Sequence, residues 1–184
     1  QETKNQKFKN KDRMIRSFLI PICFWIAKKS KKKGTLIIGL SGGQGTGKTT
    51  ISSVISLILR KYFNLNVFKI SIDDFYKTRK ERNLLSKNKH PLLMTRGAPG
   101  THDIDLMLHF FKKIQTKNFK EFKLPKFNKA FDDRYKKKHW YKLKSKPDIV
   151  IFEGWCVGAK PQKFSQLKKS VNSLEKSYDQ NFIW

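Results

Sequence analysis

Gly42, Gly43, Gln44, Gly45, Thr46, Gly47, Lys48 and Thr49 read G-x-x-x-x-G-K-T, a complete phosphate-loop (Walker A) pattern. No other feature limits the fold of this chain so tightly. Glycines let successive backbone N–H groups turn toward one anion, and the positive end of a following helix adds to the attraction. Lys48 offers charge to β- and γ-phosphates, Thr49 a hydroxyl to Mg²⁺, and Thr50 a hydroxyl to the α-phosphate. A glycine-rich turn can match by chance, so the flanks decide. Residues 35–40 (TLIIGL) are an apolar run ending in glycines, as a buried parallel strand ends. Beyond the loop, Ile51, Val54, Ile55, Ile58, Leu59 and Tyr62 recur with helical period on one stripe. Strand, loop and helix in this order imply a site for ATP and Mg²⁺.

The rest of the chain repeats the alternation. Residues 67–72 (VFKISI) read as a second strand after the turn residues Asn64 and Asn66. A polar helical stretch follows, then a Gly/Pro turn at 97–100. Residues 103–115 read as a helix with Ile104, Met107, Leu108, Phe111 and Ile114 on its apolar face. Residues 148–152 (DIVIF) are a third buried strand ending at Glu153 and Gly154. The expected fold is α/β: a three-layer phosphate-loop NTPase with a mostly parallel sheet flanked by helices. Ligands then sit at the carboxyl ends of the strands, and the second strand is expected beside the first.

Residues 1–33 read as a basic arm, frayed or helical up to residue 16, followed by an apolar helix and a lysine linker at 28–33. Residues 34–184 read as the phosphate-loop domain. The run at 18–27 (FLIPICFWIA) is about half a membrane span, is interrupted by Pro21 and leads into lysines. It reads as a buried helix with Pro21 in its first turn, not as a membrane anchor.

Charge enters as a question of partners. Lys+Arg 41 against Asp+Glu 14 gives +27 over 184 residues, which suggests polyanions. Yet seven of those 41 are arginines and 34 are lysines, spread along the whole chain. Base and phosphate readers favour arginine's planar fork, and no nucleic-acid module is recognisable. The expectation is a solvated lysine-rich surface with no specific nucleic acid and no membrane. Two cysteines, Cys23 and Cys156, make no disulfide framework, which fits a reducing, cytoplasmic setting.

The second strand ends in Ser71-Ile72-Asp73-Asp74-Phe75-Tyr76. A carboxylate there can take a proton from an attacking hydroxyl or hold a magnesium-bound water. Asp73 is the candidate for either role; Asp74 is read equally as a cap. Glu153 stands where a phosphate-loop enzyme keeps the acid that orients its magnesium shell. Trp155 and Cys156 are read either as acceptor lining or as core. Around the turn at 97–100, Arg96, His102 and Asp103 suit a small anionic acceptor, although Thr101 or Asp103 equally suits a helix cap. Lys126, Asn128, Asp133 and Arg134 form a further polar group. Phe122, Phe127, Phe131, Trp140 and Tyr141 read as packing before base stacking.

In order, SGGQGTGKTT, SIDDFYKTRKER, HPLLMTRGAPGTHDIDL, LPKFNKA with DDR, and FEGWCVGAKP resemble the D-glycerate 3-kinase family. That family belongs to the phosphoribulokinase/uridine kinase group, and the resemblance runs over residues 17–184. It implies ATP- and Mg²⁺-dependent phosphorylation of the 3-hydroxyl of D-glycerate, a small hydroxy acid. It implies Asp73 as general base, Lys48 and Thr49 as the phosphate-loop pair, and Glu153 as the acid closing the Walker-B-like strand. Thr49, Asp73 and Glu153 are the implied metal set. Asp74, Tyr76, Arg96, His102, Asp103 and Arg134 are implied on the acceptor side. Two departures stand out. Asn128 replaces the usual Asp, which leaves the acceptor open to a uridine- or pantothenate-type alternative. The chain also stops before the family's lid helices, so the expectation is a fragment. A nucleic-acid-binding phosphate-loop NTPase is the alternative from another class.

Overall fold

The computed structural model describes residues 10–30 and 34–183. Of the expected arm at residues 1–16, residues 1–9 lie outside the described residues; of the expected linker at 28–33, residues 31–33 do too, while 28–30 are corrected to the last turn of α2. In chain order the elements are α1 (Lys11–Met14), a π-turn (Ile15–Leu19), α2 (Ile20–Ser30), β1 (Leu36–Ser41), α3 (Lys48–Phe63), β2 (Val67–Ser71), α4 (Arg79–Asn88), α5 (Ile104–Gln115), β3 (Phe122–Leu124), β4 (Phe127–Asn128), β5 (Asp133–Arg134), β6 (Tyr141–Leu143), β7 (Ile149–Gly154) and α6 (Ser173–Tyr178). They fall into two compact units, each described by itself. The first takes residues through 72, 111–122 and 143–157; the second takes 73–110, 123–142 and the residues from 158 onward. No helix among the described residues is long and apolar enough to cross a membrane.

In the first unit β7 lies between β1 and β2, parallel to both, with Ile149 paired to Leu36 on one side and Val67 on the other. The expected adjacency of the first and second strands is therefore corrected: β7 is the neighbour of β1. The reason is apolar length. Residues 149–152 are buried on both faces, which suits a central parallel strand. β1 instead alternates half-buried with exposed positions and is an edge strand among the described residues, where a fully buried strand was expected. Helices cover both faces. Ile149 and Ile151 join Leu19, Cys23, Ile26, Ile55 and Leu59 in one core. On the other face the Phe152 ring meets Phe111 of α5 edge-on at 5.2 Å. These are the three layers.

Two helices depart from expectation in detail. The α3 stripe continues through Phe63 and not Tyr62, which is exposed, because Ile51, Ile55, Leu59 and Phe63 follow the four-residue row of the helix. Asn64 then closes α3 in the left-handed conformation (φ 52°). Pro21 is the second residue of α2, in its first turn as expected, although the helical path continues back to Lys11. The π-turn at Ile15–Leu19 precedes it and opens the turn into which the proline ring would otherwise press the carbonyl four residues back. α2 is buried on one side only, through Cys23, Ile26 and Ala27, while Phe24 and Trp25 are exposed. Burial pushes the Cys23 thiol up to about 11.

The second unit opens with Asp73 directly after β2 and the turn at Ile72. Thr78 and Glu81 start α4 as a reciprocal capping box, the Glu81 carboxylate accepting from Thr78 N at 2.7 Å. In α5, Ile104 and Leu108 are exposed and Phe110 is buried, so the buried face is rotated from the one its apolar residues predict. Phe110 packs against Phe75 at 6.0 Å. β4 and β5 form a short antiparallel hairpin, with Asp132 in the left-handed region (φ 52°) in its turn.

Arg82, 1% exposed, ties this unit together. Its guanidinium donates to the carbonyls of Lys77 (3.3 Å), Met94 (2.8 Å) and Asp132 (2.7 Å) and pairs with the Asp132 carboxylate at 2.9 Å. Arg82→Met removes a buried charge and leaves those carbonyls and Asp132 without that donor. We expect a loss of about 3 kcal/mol in urea unfolding. Arg82→Lys should not rescue it, because one ammonium cannot serve the same fork. A loss below about 0.5 kcal/mol, the range of an ordinary surface substitution, would contradict this reading.

Candidate active site

The loop after β1 is built for an anion. Gly45 (φ +75°) and Gly47 (φ +80°) adopt the left-handed conformation that non-glycine residues resist, and Gly47 sits at the N-cap of α3. The first helical bond runs from Ile51 N to Gly47 O at 2.9 Å, so the amides before it point out of the helix start. Lys48 Nζ lies across the loop on Gly43 O at 2.6 Å, and Thr46 Oγ1 donates to the same carbonyl at 2.9 Å. Gln44 and Thr50 make no side-chain hydrogen bond among the described residues.

The end of β7 holds the loop from beneath. Gly42 N donates to Gly154 O at 3.2 Å. Gly154 is required by close approach, since a Cβ there would lie 2.4 Å from Ile72 Cγ2. One residue earlier, the two oxygens of Glu153 accept from Thr49 Oγ1 at 3.2 Å and Ser52 Oγ at 3.3 Å. Ser52 was missed from the sequence. Its signal is the i, i+3 spacing from Thr49, which puts both hydroxyls on one helix face. Among the described residues no cluster of three or more His, Cys, Asp or Glu is assembled for a metal. Thr49 and Glu153 nevertheless fit Mg²⁺, a hard ion that takes few protein oxygens and completes its shell with phosphate and water.

In the second unit Tyr76 is the centre of a polar group. The His102 ring stacks on the Tyr76 ring at 4.2 Å, and the two residues form a backbone bridge. The Arg134 Nη2 donates to Tyr76 O at 2.8 Å and pairs with Asp103 Oδ2 at 3.1 Å. The Arg96 guanidinium lies 6.0 Å from the Tyr76 ring centre and binds Asp132 at 2.8 Å. Tyr76, Arg96, His102, Asp103 and Arg134, scattered over 59 positions, thus come together.

Several of these atoms are already engaged. Asp103 Oδ1 caps α5 by accepting from Leu106 N at 3.1 Å. Asp74 Oδ1 accepts from Phe127 N at 3.2 Å and so holds the hairpin. Asn128 Oδ1 accepts from Ala130 N and Phe131 N, shaping the turn. Asp133 accepts from Arg79 N at 3.0 Å. Asp73 pairs with Lys129 at 2.6 Å, a partner that nothing in the sequence singled out among the many lysines. Burial, which favours the neutral imidazole, lowers the His102 pKa, opposed by the charge of Asp73. The Tyr141 phenol is pushed up to about 12, first by burial and then by Asp74 and Tyr135.

Residues 37–172 match the phosphoribulokinase / uridine kinase family. The chain belongs to that family. It is 32% identical over 169 residues to an uncharacterised kinase, mug58, of Schizosaccharomyces pombe, covering 87% of this chain and 61% of that one. It is 33% identical to the chloroplastic D-glycerate 3-kinase of Arabidopsis thaliana, covering 76% and 32%. A pantothenate kinase of Streptococcus suis is 30% identical, with 73% and 42% covered. The solved D-glycerate 3-kinase of Cryptococcus neoformans superposes with a TM-score of 0.69 at 28% identity, covering 84% of this chain and 56% of that one. The chain therefore spans between 32% and 61% of the length of these curated relatives.

Within this phosphoribulokinase/uridine kinase fold, Thr49→Val keeps the side-chain shape and removes the hydroxyl. We expect MgATP affinity to fall about tenfold, on the order of one hydrogen bond to a charged group. Affinity for metal-free ATP should stay unchanged. Equal losses with and without Mg²⁺, in calorimetric titration, would show that Thr49 serves the loop and not the metal.

Proposed function

We propose that this chain carries the nucleotide- and acceptor-binding residues of an ATP-dependent kinase that phosphorylates a hydroxyl of a small hydroxy acid, with D-glycerate giving 3-phosphoglycerate. The observation that carries the reading is the contact of Glu153 with the Thr49 hydroxyl beneath an intact phosphate loop. The D-glycerate 3-kinases among its relatives favour that acceptor.

In this reading the loop amides and Lys48 hold the β- and γ-phosphates and offset charge that builds in a loose, in-line transition state. Thr49 and Glu153 would hold Mg²⁺, which would supply positive charge against that of the transferring phosphoryl group. Asp73 accepts the proton of the attacking hydroxyl; the new O–P bond forms as the bond to the ADP oxygen breaks. Arg96 and His102 face the acceptor, and Asp103 with Arg134 positions the segment that carries them.

The test is Mg²⁺-dependent ADP release by this chain and by the longest form its gene encodes. The acceptors are D-glycerate, L-glycerate, uridine, pantothenate, single-stranded DNA and none. We expect turnover with D-glycerate, and Asp73→Asn to lower kcat by on the order of 10²–10⁴ with little change in ATP affinity. Turnover with pantothenate instead would move the assignment toward that branch, which its 30% identity to a pantothenate kinase keeps in the panel. Hydrolysis driven by DNA alone would defeat the small-molecule reading.

A further inference from the structure

We propose that Nε2 of His102 is the contact for the acceptor's non-reacting hydroxyl, which makes His102 the residue that selects a 2,3-dihydroxy acid over a simple 3-hydroxy acid. The inference rests on the small-molecule kinase reading above and deepens it.

The backbone around His102 is held on both sides. Lys77 N donates to Thr101 O at 2.9 Å, and Asp103 N donates to Phe75 O at 2.7 Å. Between them the imidazole lies nearly flat on Tyr76, with 21° between the ring planes. A ring so stacked cannot leave that plane without losing the contact, so Nε2 is confined to it. His102 is 8% exposed, and its Nε2 is buried with no hydrogen-bond partner among the described residues. A buried polar atom left unpaired is costly, which is why nearly all such atoms in folded proteins find a partner.

The neighbours narrow what that partner is. Asp103 is taken by Arg134 and Leu106 N, Asp74 by Phe127 N, and Arg96 by Asp132. Of the acceptor-side residues, His102 thus keeps an unused polar atom. A carboxylate at Nε2 would meet a neutral ring and feel the like charge of Asp73, which acts on this imidazole. A hydroxyl carries no such penalty, and it can either donate to or accept from the ring. In D-glycerate the hydroxyl that is not phosphorylated is on carbon 2. A site built to hydrogen-bond a hydroxyl rejects the analogue that lacks it far more strongly than an apolar pocket does.

The experiment compares D-glycerate with 3-hydroxypropionate, which keeps the carboxylate and the reacting hydroxyl and lacks the other. Both are assayed on the full chain and its longest form, wild type and His102→Phe. Phenylalanine keeps the stack on Tyr76 and removes the polar atom. We expect wild type to favour D-glycerate by about a hundredfold or more in kcat/KM. The variant should lose most of that preference, read as the ratio of the two kcat/KM values, with the larger fall on D-glycerate. In ¹⁵N spectra of the wild type, the His102 Nε2 resonance should move with D-glycerate and stay in place with 3-hydroxypropionate. That readout holds even if the variant does not fold. Turnover of both acids at equal efficiency, or a preference that survives in the variant, would overturn this inference and leave the kinase reading intact. Absence of turnover with every acceptor would defeat the kinase reading, and this inference with it.

Discussion

The backbone pairing of β7 on both sides is the interaction on which the first unit depends. Ile149 to Gly154 pairs with β1 along its whole length, while Ile149 to Glu153 pairs with β2. This arrangement demands a strand that is apolar on both faces, because a helix layer covers each. It also fixes where the strand ends. The sixth residue must be glycine to clear Ile72, and the fifth delivers a carboxylate to Thr49 and Ser52. Packing and chemistry are therefore coupled through one segment: the requirement that buries Phe152 also sets the position of Glu153.

The second unit solves a different problem, that of ordering many loops with little regular structure. It does so with arginine. In a chain of 34 lysines among 41 basic residues, three of its seven arginines, Arg82, Arg96 and Arg134, place their forks inside this unit. Each engages a carboxylate, and Arg82 and Arg134 bind backbone carbonyls as well. Lysine cannot do this, because its ammonium is a strongly hydrated point charge on a flexible stem. The arginines hold the hairpin, the turn at 97–100 and the start of α5.

Legibility in the sequence followed the range of the interaction. The phosphate loop, α3 and the apolar core of β7 are local patterns and were readable, as was Asp103 as a candidate helix cap. The insertion of β7 between β1 and β2 was not, because strand order is decided by which strand can be buried twice. Tyr62 and Ile104 misled for a related reason: helical period gives a stripe, and the tertiary contacts decide which edge of that stripe is covered. Arg82 left no signal beyond being an arginine in a polar helix. Ser52 and Lys129 belong to pairs whose partners lie 101 and 56 positions away, Glu153 and Asp73. The unpaired Nε2 of His102 is visible only once every neighbouring donor and acceptor has been assigned.

The central claim is that the loop between β1 and α3 seats a nucleotide triphosphate through its backbone. Amide hydrogen exchange with and without MgATP tests it most directly. The account predicts that the amides of Gly43 through Thr50 slow markedly when MgATP is added, and that Lys48→Ala weakens the effect. Unchanged exchange across those residues, with protection appearing elsewhere in the chain, would contradict it.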